Sequence, residues 1–356
     1  MRACSLFLGA LIMSVTANAH HSFAAFYDMT ELTELEGEVT SVVWRNPHIT
    51  FTLDVPASDG AVTSWQMAAG SVNTLERFGI DEDIIKVGAT LRVAGPRSRH
   101  GLDGMFVVSI FPPGGEVVLN PNIAAHLRPP GGGPLPQEIA LDDDVVADAE
   151  ATARSIFRVW TPRARPETGG GTDIWPLTPA GQAGRDVWDP LTDDPALRCI
   201  PPGIPVAMDN PYPIDFFEQG DDIIMRLEEW DGVRTVHMNP DASAADQPVS
   251  HMGFSVGRWE GNTLIVTTTD VDYPFFDDVD TPQSPEAEIL ERFTLSDDES
   301  RLDWQATITD PVNFTEPVTL SGYWAWVPGE QIKPYECTLQ ADASTNVGSW
   351  PFPDPR

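Results

Sequence analysis

Two adjacent histidines, His20 and His21, follow directly after the small residues Ala17, Asn18 and Ala19. Such a small-residue site is typical of the place where an export leader is cleaved. Cleavage after Ala19 makes His20 the amino terminus of the mature chain. A terminal histidine offers its α-amino nitrogen and an imidazole nitrogen on one residue, and Cu(II) prefers square, nitrogen-rich coordination. The sequence therefore predicts a copper site at the mature amino terminus.

A third histidine, His48, ends the motif WRNPH at residues 44–48, at the mouth of the first predicted hairpin. If the amino-terminal segment folds over that end, the imidazoles of His20, His21 and His48 converge. This set resembles the histidine brace of copper oxygenases and of some periplasmic copper carriers. Cleavage after Ala17 instead makes His20 the third residue, which also binds Cu(II) and Ni(II). The alternative is an unordered terminus and a histidine that caps a turn, because chain termini are usually poorly ordered.

Residues 1–19 have the features of a signal peptide. Arg2 is the positive residue, residues 6–15 form an apolar run, and positions 17 and 19 are small. The run is too short to span a bilayer, and no other stretch reaches the length of a membrane helix. Cys4 precedes the apolar run, whereas a lipid-modified cysteine would follow it. We therefore expect a periplasmic or secreted protein with no membrane span.

The formal net charge of −33 bounds the partners of this chain. Such a negative surface repels nucleic acid and anionic lipid, so neither is expected as a partner. The surplus of acidic residues is interpreted as a solvated, salt-tolerant surface rather than as a set of ligands.

Two cysteines, Cys199 and Cys337, remain once Cys4 is removed with the leader. An even pair in an oxidising compartment predicts a disulfide. In the chain-entropy model a disulfide that closes a loop of this length contributes about 4 to 5 kcal/mol to stability, less any strain in the native state. The alternative, a redox or metal pair of free thiols, lacks a Cys-x-x-Cys spacing.

Residues 20–118 alternate between apolar and polar positions in the way that short β-strands do. Five strands and one short helix are predicted at residues 35–43, 49–55, 64–68, 90–94 and 105–110, with the helix at 71–79. Ser71 caps this helix and Gly79 ends it. A helix between the third and fourth of five strands is the element order of an OB-fold, so an OB-like barrel is expected.

Residues 119–197 are predicted to be a connector with short helices. Residues 128–134 and 167–172 are too rich in proline and glycine for a helix or a central strand. Between these two stretches, residues 142–160 have near-helical apolar spacing. This region is expected to pack on its neighbours and to have little core of its own.

Residues 198–345 are predicted to form a second, antiparallel barrel, with a strongly curved meander as the alternative, before a tail at 346–356. Eight strands joined mostly by tight turns are expected, at residues 214–219, 223–230, 234–239, 253–259, 263–270, 288–295, 302–309 and 318–327. A barrel of this size encloses one small ligand or fills itself with side chains. A small apolar ligand is therefore a candidate partner, with the tryptophans of these strands as pocket lining or as core.

Several polar residues of the second barrel are candidates for general acid–base catalysis. Glu291 shares strand parity with Phe293, which predicts an inward-facing carboxylate, and His251 is the second candidate of this pair. The alternative for Glu291 is an ion pair with an arginine on the outer face. An acidic run from Asp270 to Asp280 invites a calcium site but lacks the EF-hand glycine and glutamate. His237, Arg258 and Asp310 complete the set.

Three stretches of the first half carry a resemblance to exported bacterial proteins of unknown function. These are residues 20–23 (HHSF), 44–48 (WRNPH) and 88–95 (GATLRVAG), and the resemblance covers residues 20–118. The second half resembles an uncharacterised module marked by residues 199–203 (CIPPG), 211–213 (PYP) and 253–264. Relatives of this module are expected to have histidine where Phe254 stands. The resemblance implies export and family membership but no activity.

The triplet Gly257, Arg258 and Trp259 is also similar to the Gly-x-Trp signature of lipocalins. In lipocalins the triplet opens the first strand, whereas here it follows about three strands. A barrel of similar shape is therefore expected rather than a true lipocalin.

These patterns favour an exported, mainly β binding protein with Cu(II) at its amino end and a small ligand in its second barrel. One alternative is a periplasmic enzyme, either a copper-dependent oxidant or an acid–base catalyst centred on His251 and Glu291. The other alternative is an envelope scaffold whose two barrels bind only other proteins.

Overall fold

The computed structural model describes residues 26–28, 30–99, 101–120, 139, 141–164, 175–189, 193–277 and 281–338. The described chain is mainly β and forms one seven-stranded sheet and one closed barrel. No helix in these ranges is both long and apolar enough to cross a membrane. The predicted leader, His20 and His21 lie outside the described residues.

The sheet contains the strands found in the described residues 26–120, in the order β5-β3-β2-β1-β4-β6-β7. One helix, α1 (Val72–Arg77), and a short 3-10 turn (Glu82–Ile84) separate β3 from β4. The strands are β1 (Thr33–Val43), β2 (Thr50–Pro56), β3 (Val62–Ala68), β4 (Thr90–Gly95), β5 (Gly104–Phe106), β6 (Ser109–Ile110) and β7 (Val117–Val118). We call the described residues 26–120 the sheet module.

The predicted fifth strand is divided into two short strands that pair with opposite sides of the sheet. β5 runs parallel to β3, whereas β6 runs antiparallel to β4. Between them, the Val107 amide donates to Ala68 O at 2.7 Å and the Val108 amide to Ala94 O at 2.9 Å. Because only two residues separate β5 from β6, the sheet must curl until β3 and β4 face each other. Gly95 permits this closure, since a Cβ there would lie 1.9 Å from the carbonyl oxygen of Phe106.

Helix α1 begins and ends where the sequence predicts. The Ser71 side chain accepts a hydrogen bond from the Thr74 amide, which satisfies one of the unpaired amides of the first turn. Gly79 follows with a φ of +71°, a conformation that glycine adopts at little cost. Leu75 faces the sheet and is part of its core. The helix therefore lies against the sheet module with Asn73 and Arg77 also buried.

The connector prediction was wrong in one important respect, because part of this region is a strand of the barrel. Helix α2 (Asp143–Thr152) ends at Ala153, whose backbone is extended, and β8 (Val159–Ala164) follows. Pro162 disfavours a continued helix because it lacks an amide hydrogen and restricts the residue before it. Trp160 is fully buried in the barrel core. Helix α3 (Pro179–Val187) and a 3-10 turn (Pro195–Arg198) complete the region.

The barrel contains all eight predicted strands, and β8 makes it nine-stranded. The eight are β9 (Ile214–Gln219), β10 (Asp222–Leu227), β11 (Gly232–His237), β12 (Phe254–Glu260), β13 (Thr263–Thr269), β14 (Glu288–Leu295), β15 (Arg301–Thr309) and β16 (Val318–Trp326). Short helical turns lie at Val206–Asp209 (α4), Glu229–Asp231 and Ala244–Asp246. The expected closed barrel is confirmed, and the expected count of about eight was one too low.

The expectation of a wholly antiparallel barrel was also wrong. Strands β11 and β12 pair in parallel, with Val236 opposite Ser255 and His237 opposite Val256. Parallel neighbours need a long crossover, and residues 238–253 provide it, with the 3-10 turn in their middle. The remaining neighbouring strands of the barrel are antiparallel.

Candidate functional site

His48 lies in the loop between β1 and β2, where its ring is held in one tautomer. Its Nδ1 is 3.0 Å from the carbonyl oxygen of Ala69. Because a carbonyl only accepts, Nδ1 carries the proton, and the lone pair of the neutral ring lies on Nε2. Burial lowers the pKa of His48 to about 4, although the hydrogen bond to Ala69 opposes this shift. His48 is therefore a neutral imidazole at neutral pH.

The start of the described chain is anchored beside this histidine. The ring of Tyr27 lies 5.7 Å from the ring of Phe106, and the ring of His48 lies 6.2 Å from that same ring. Backbone hydrogen bonds fix the segment, since the Asp28 amide donates to Arg97 O and the Arg99 amide donates to Phe26 O. Tyr27 and His48 consequently lie on the same side of the sheet module, next to Phe106.

The other residues of the WRNPH motif connect this loop to helix α1. The Asn46 Oδ1 accepts a hydrogen bond from the Val72 amide at 2.9 Å, and its Nδ2 donates to Asn73 Oδ1 at 2.8 Å. Trp44 packs against the core of the sheet module. The motif therefore builds the corner of the module in which His48 is held.

A buried charged cluster joins the sheet module to the barrel. Arg77 donates to Glu228 through Nη1 at 3.2 Å and Nη2 at 2.6 Å, and its Nε lies 3.0 Å from Glu330 Oε2. Asn73 Nδ2 donates to Glu228 Oε1 at 3.1 Å. Burial alone would lower the pKa of Arg77, but the two carboxylates raise it further than burial lowers it. We call Asn73, Arg77, Glu228 and Glu330 the docking cluster.

Sequence reasoning missed the docking cluster entirely. Glu228 and Glu330 belong to the acidic surplus that was assigned to a solvated surface, yet both are buried. Arg77 stands in the last turn of α1, where a basic residue has an ordinary explanation in the helix dipole. Asn46 of the WRNPH motif contacts this cluster through Asn73, but the sequence prediction used the motif only for its histidine, His48.

Inside the barrel, Glu291 faces inward and pairs with an arginine. Its carboxylate accepts hydrogen bonds from Arg234 Nη2 and from Trp304 Nε1, the latter at 3.1 Å. Arg234 also donates through Nε to Ser255 Oγ at 2.9 Å and through Nη2 to Thr268 Oγ1 at 2.5 Å. Its Nη1 has no hydrogen-bond partner among the described residues. The inward carboxylate matches the strand parity, and the ion pair lies inside the barrel rather than on its outer face.

The interior around this pair is filled by side chains. Glu291 and Thr268 are 0% exposed, Arg234 is 1% exposed and Trp304 is 2% exposed. A void that admits water would leave accessible surface on the side chains that line it. Trp160, Phe216, Phe293 and Trp324 complete the packing of this core. Around Glu291 the barrel is therefore solid.

His251 and Glu291 have different environments, and their side-chain hydrogen bonds are made to different residues. His251 lies in the turn before β12, with Nδ1 2.8 Å from Pro201 O and its ring 5.2 Å from the ring of Tyr273. Among the lesser candidates, His237 contacts Asp222 at 3.0 Å and stacks on Phe254. Arg258 pairs with Glu260, and Asp310 accepts hydrogen bonds from Ser284 and Asn313.

The predicted disulfide between Cys199 and Cys337 is present. Cys337 belongs to the segment after β16, and its backbone bridges to Asn46 of the sheet module. We call residues 328–337 the strap. In the ranges that the structure describes, no three His, Cys, Asp or Glu side chains are grouped to hold a metal ion. Asp277 of the acidic run accepts hydrogen bonds from Trp175 and Thr281, and residues 278–280 lie outside the described ranges.

Comparison with known proteins places the His48 corner in a recurring module. Residues 9–105 match a protein family described only as a family of unknown function (DUF6152). The match includes the WRNPH motif and helix α1 but none of the barrel strands. No curated protein matches the chain, and no solved structure does.

Proposed function

We propose that this protein is an exported Cu(II)-binding protein whose metal site consists of His20, His21 and His48. The observation that carries the proposal is the anchoring of Tyr27 beside His48, on the ring of Phe106. His21 precedes Tyr27 by six residues, and six extended residues span roughly 20 Å. That reach exceeds the two ring separations together, so the terminal histidines can meet His48.

The environment of His48 suits a metal ligand. Metal-binding histidines commonly donate their second ring N–H to a backbone carbonyl, which fixes the ring and the tautomer. Ala69 O has this role for His48. Because the ring is already neutral, copper does not have to displace a proton from it. His20 would supply its α-amino and imidazole nitrogens, and His48 would supply Nε2.

Export and the finer fold assignments belong to the same proposal. The Cys199–Cys337 disulfide supports an oxidising compartment such as the periplasm. The strand order β5-β3-β2-β1-β4-β6, with a helix after β3, supports an OB-like sheet module. The closed barrel supports a lipocalin-like shape, although nine strands and one parallel pair depart from that fold.

The alternatives receive less support from the geometry. A small apolar ligand in the barrel needs space, and the interior around Glu291 is packed. An acid–base enzyme needs an accessible carboxylate, whereas Glu291 is enclosed with Arg234 and Trp304. A scaffold role for the barrel fits a solid body, and the buried docking cluster holds the sheet module firmly to that body.

The test uses mature protein that begins at His20, loaded with one equivalent of Cu(II). We expect an EPR spectrum with hyperfine structure from several nitrogen ligands. A methionine placed before His20, and separately His48→Asn, should each change that spectrum and weaken binding by tenfold or more. His251→Asn is the matched control and should leave the spectrum unchanged. An identical spectrum in all four proteins would overturn the proposal.

A further inference from the structure

We infer that the barrel sets the position of the His48 ring, and that Asn73 and Asn46 are the positioning residues between them. The inference concerns the regulation of the proposed copper site and therefore rests on the proposed function. Its physical basis is a chain of buried hydrogen bonds that runs from Glu228 of the barrel to the loop of His48.

The donors and acceptors in this series of hydrogen bonds are fixed, because the roles of the partners at its two ends are unambiguous. Asn73 Nδ2 donates to two acceptors of the barrel half, Glu228 Oε1 and Pro334 O, each at 3.1 Å. The amide oxygen of Asn73 must then face Asn46. At the other end, the Val72 amide can only donate, so Asn46 presents its oxygen there and its Nδ2 to Asn73. Neither amide can flip without losing hydrogen bonds.

Several hydrogen bonds join the loop of His48 to residues 69–73, at the start of helix α1. Besides the Asn46 contacts, His48 Nδ1 donates to Ala69 O, and the Ile49 amide donates to Gly70 O at 3.1 Å. The Ala69 amide in turn donates to Ile49 O at 2.8 Å. A shift of residues 69–73 therefore moves the carbonyl that orients the His48 ring.

At the barrel end of these hydrogen bonds, Glu228 has several partners. Glu228 accepts hydrogen bonds from both terminal nitrogens of Arg77, from Asn73 and from the Lys333 amide at 2.9 Å. Lys333 and Pro334 belong to the strap, which the disulfide ties to Cys199. Asn46, Asn73 and Glu228 are at most 4% exposed. Since water cannot replace a lost partner there, breaking one bond forces the others to rearrange.

Removing the Asn73 side chain should disturb the His48 ring before any metal is added. Full-length mature protein labelled with ¹⁵N-histidine reports the tautomer of His48 through its ring nitrogen shifts. In Asn73→Ala we expect the Nδ1 and Nε2 shifts of His48 to move toward those of a tautomeric mixture. Bound Cu(II) should then show altered EPR parameters and roughly tenfold weaker binding, the low end of effects for residues that orient metal ligands.

The matched control is Asn313→Ala, which also removes a buried asparagine that donates to a carboxylate, Asp310. Asn313 lies in the turn after β15, and its side chain donates to Asp310 rather than to Asn46 or Asn73, so this variant should leave the His48 shifts and the copper spectrum unchanged. Glu228→Gln is the milder second variant if Asn73→Ala fails to fold, and it should shift His48 in the same direction.

The two proposals fail in different ways. If the wild type binds no copper, the proposed function is wrong, while the metal-free ¹⁵N spectra still decide whether the barrel positions His48. If folded Asn73→Ala and Glu228→Gln have the same His48 shifts as the wild type, the positioning role is overturned. If Asn313→Ala moves those shifts as far as Asn73→Ala, the effect is general loosening, which also overturns it.

Discussion

Arg77 and Arg234 are both buried and both pair with a fully enclosed glutamate, but they serve different parts of the structure. Arg77 joins two modules and meets two carboxylates, Glu228 and Glu330. Arg234 lies within one barrel and, among the described residues, pairs with one carboxylate, Glu291, and leaves Nη1 without a hydrogen-bond partner. The Arg77 ion pair therefore joins the sheet module to the barrel, whereas the Arg234 ion pair is part of the core of the barrel.

The two pairs should differ in how well they tolerate substitution. Removing one partner of a buried pair leaves an uncompensated charge, and this is much more costly than replacing both partners by apolar groups. Arg77 retains a second carboxylate when one is removed, but Arg234 does not. The pair inside the barrel should therefore be the more sensitive to single substitutions and the more tolerant of paired apolar replacement.

The largest expected effect follows from Glu291→Ala, which strands the Arg234 charge in the barrel core. We expect the free energy of unfolding to fall by about 3 to 5 kcal/mol. Chemical denaturation of the oxidised protein measures it. The double variant Arg234→Met with Glu291→Leu should recover most of the loss. A single variant that loses less than about 1 kcal/mol would contradict the view that this pair is a closed core element.

Loss of the disulfide should affect the docking cluster more than the Arg234–Glu291 pair. The strap carries Glu330 and the Lys333 amide of the docking cluster, and Cys337 ties it to Cys199. Replacing both cysteines by serine should lower the free energy of unfolding by about 2 to 4 kcal/mol. The loss should be accompanied by faster hydrogen exchange at the Val72 and Lys333 amides, with the exchange of Arg234 and Glu291 less affected. Equal acceleration in both regions would show that the strap has no special link to docking.

A smaller loss is expected from Glu228→Ala, because Glu330 remains to neutralise Arg77. Asn73, the Lys333 amide and two guanidinium nitrogens lose an acceptor. Asn73 keeps Pro334 O as an acceptor and Arg77 keeps Glu330, so the Lys333 amide is the donor most affected. A donor left without its acceptor costs about 1 to 3 kcal/mol, and we expect a net loss of this size. Denaturation beside Glu291→Ala gives the direct comparison. If Glu228→Ala is the more destabilising of the two, the second carboxylate does not compensate.

The two regions also differ in how far the sequence predicts them. Apolar alternation predicts the eight later barrel strands and the inward direction of Glu291, because side chains alternate faces with a period of two. It does not predict Arg234 as the partner, since β12 and β13 lie between their strands and the contact crosses the barrel interior. It also missed β8, which is short and contains Pro162.

The docking cluster has no such period to reveal it. Arg77 ends a short helix, Glu228 stands in a turn, and Glu330 lies in the strap. Their contact depends on how two modules meet, which local patterns do not encode. His48 is intermediate: its motif marked the position, but its tautomer depends on Ala69, which is distant in sequence and adjacent only in the fold.

The smallest predicted effect is the contribution of His48, in the sheet module, to the pH dependence of the free energy of unfolding. In the metal-free protein, folding holds the pKa of His48 at about 4, whereas an unfolded histidine titrates near 6.5. Between these values the unfolded state binds the extra proton, so this contribution to stability decreases as pH falls. Between pH 7 and pH 6 the loss should be about 0.7 kcal/mol. His48→Asn removes this contribution, and its free energy of unfolding should change less over the same interval. The same slope in wild type and His48→Asn would mean that His48 titrates alike in the folded and unfolded states, which contradicts the neutral ring that the proposed copper site uses.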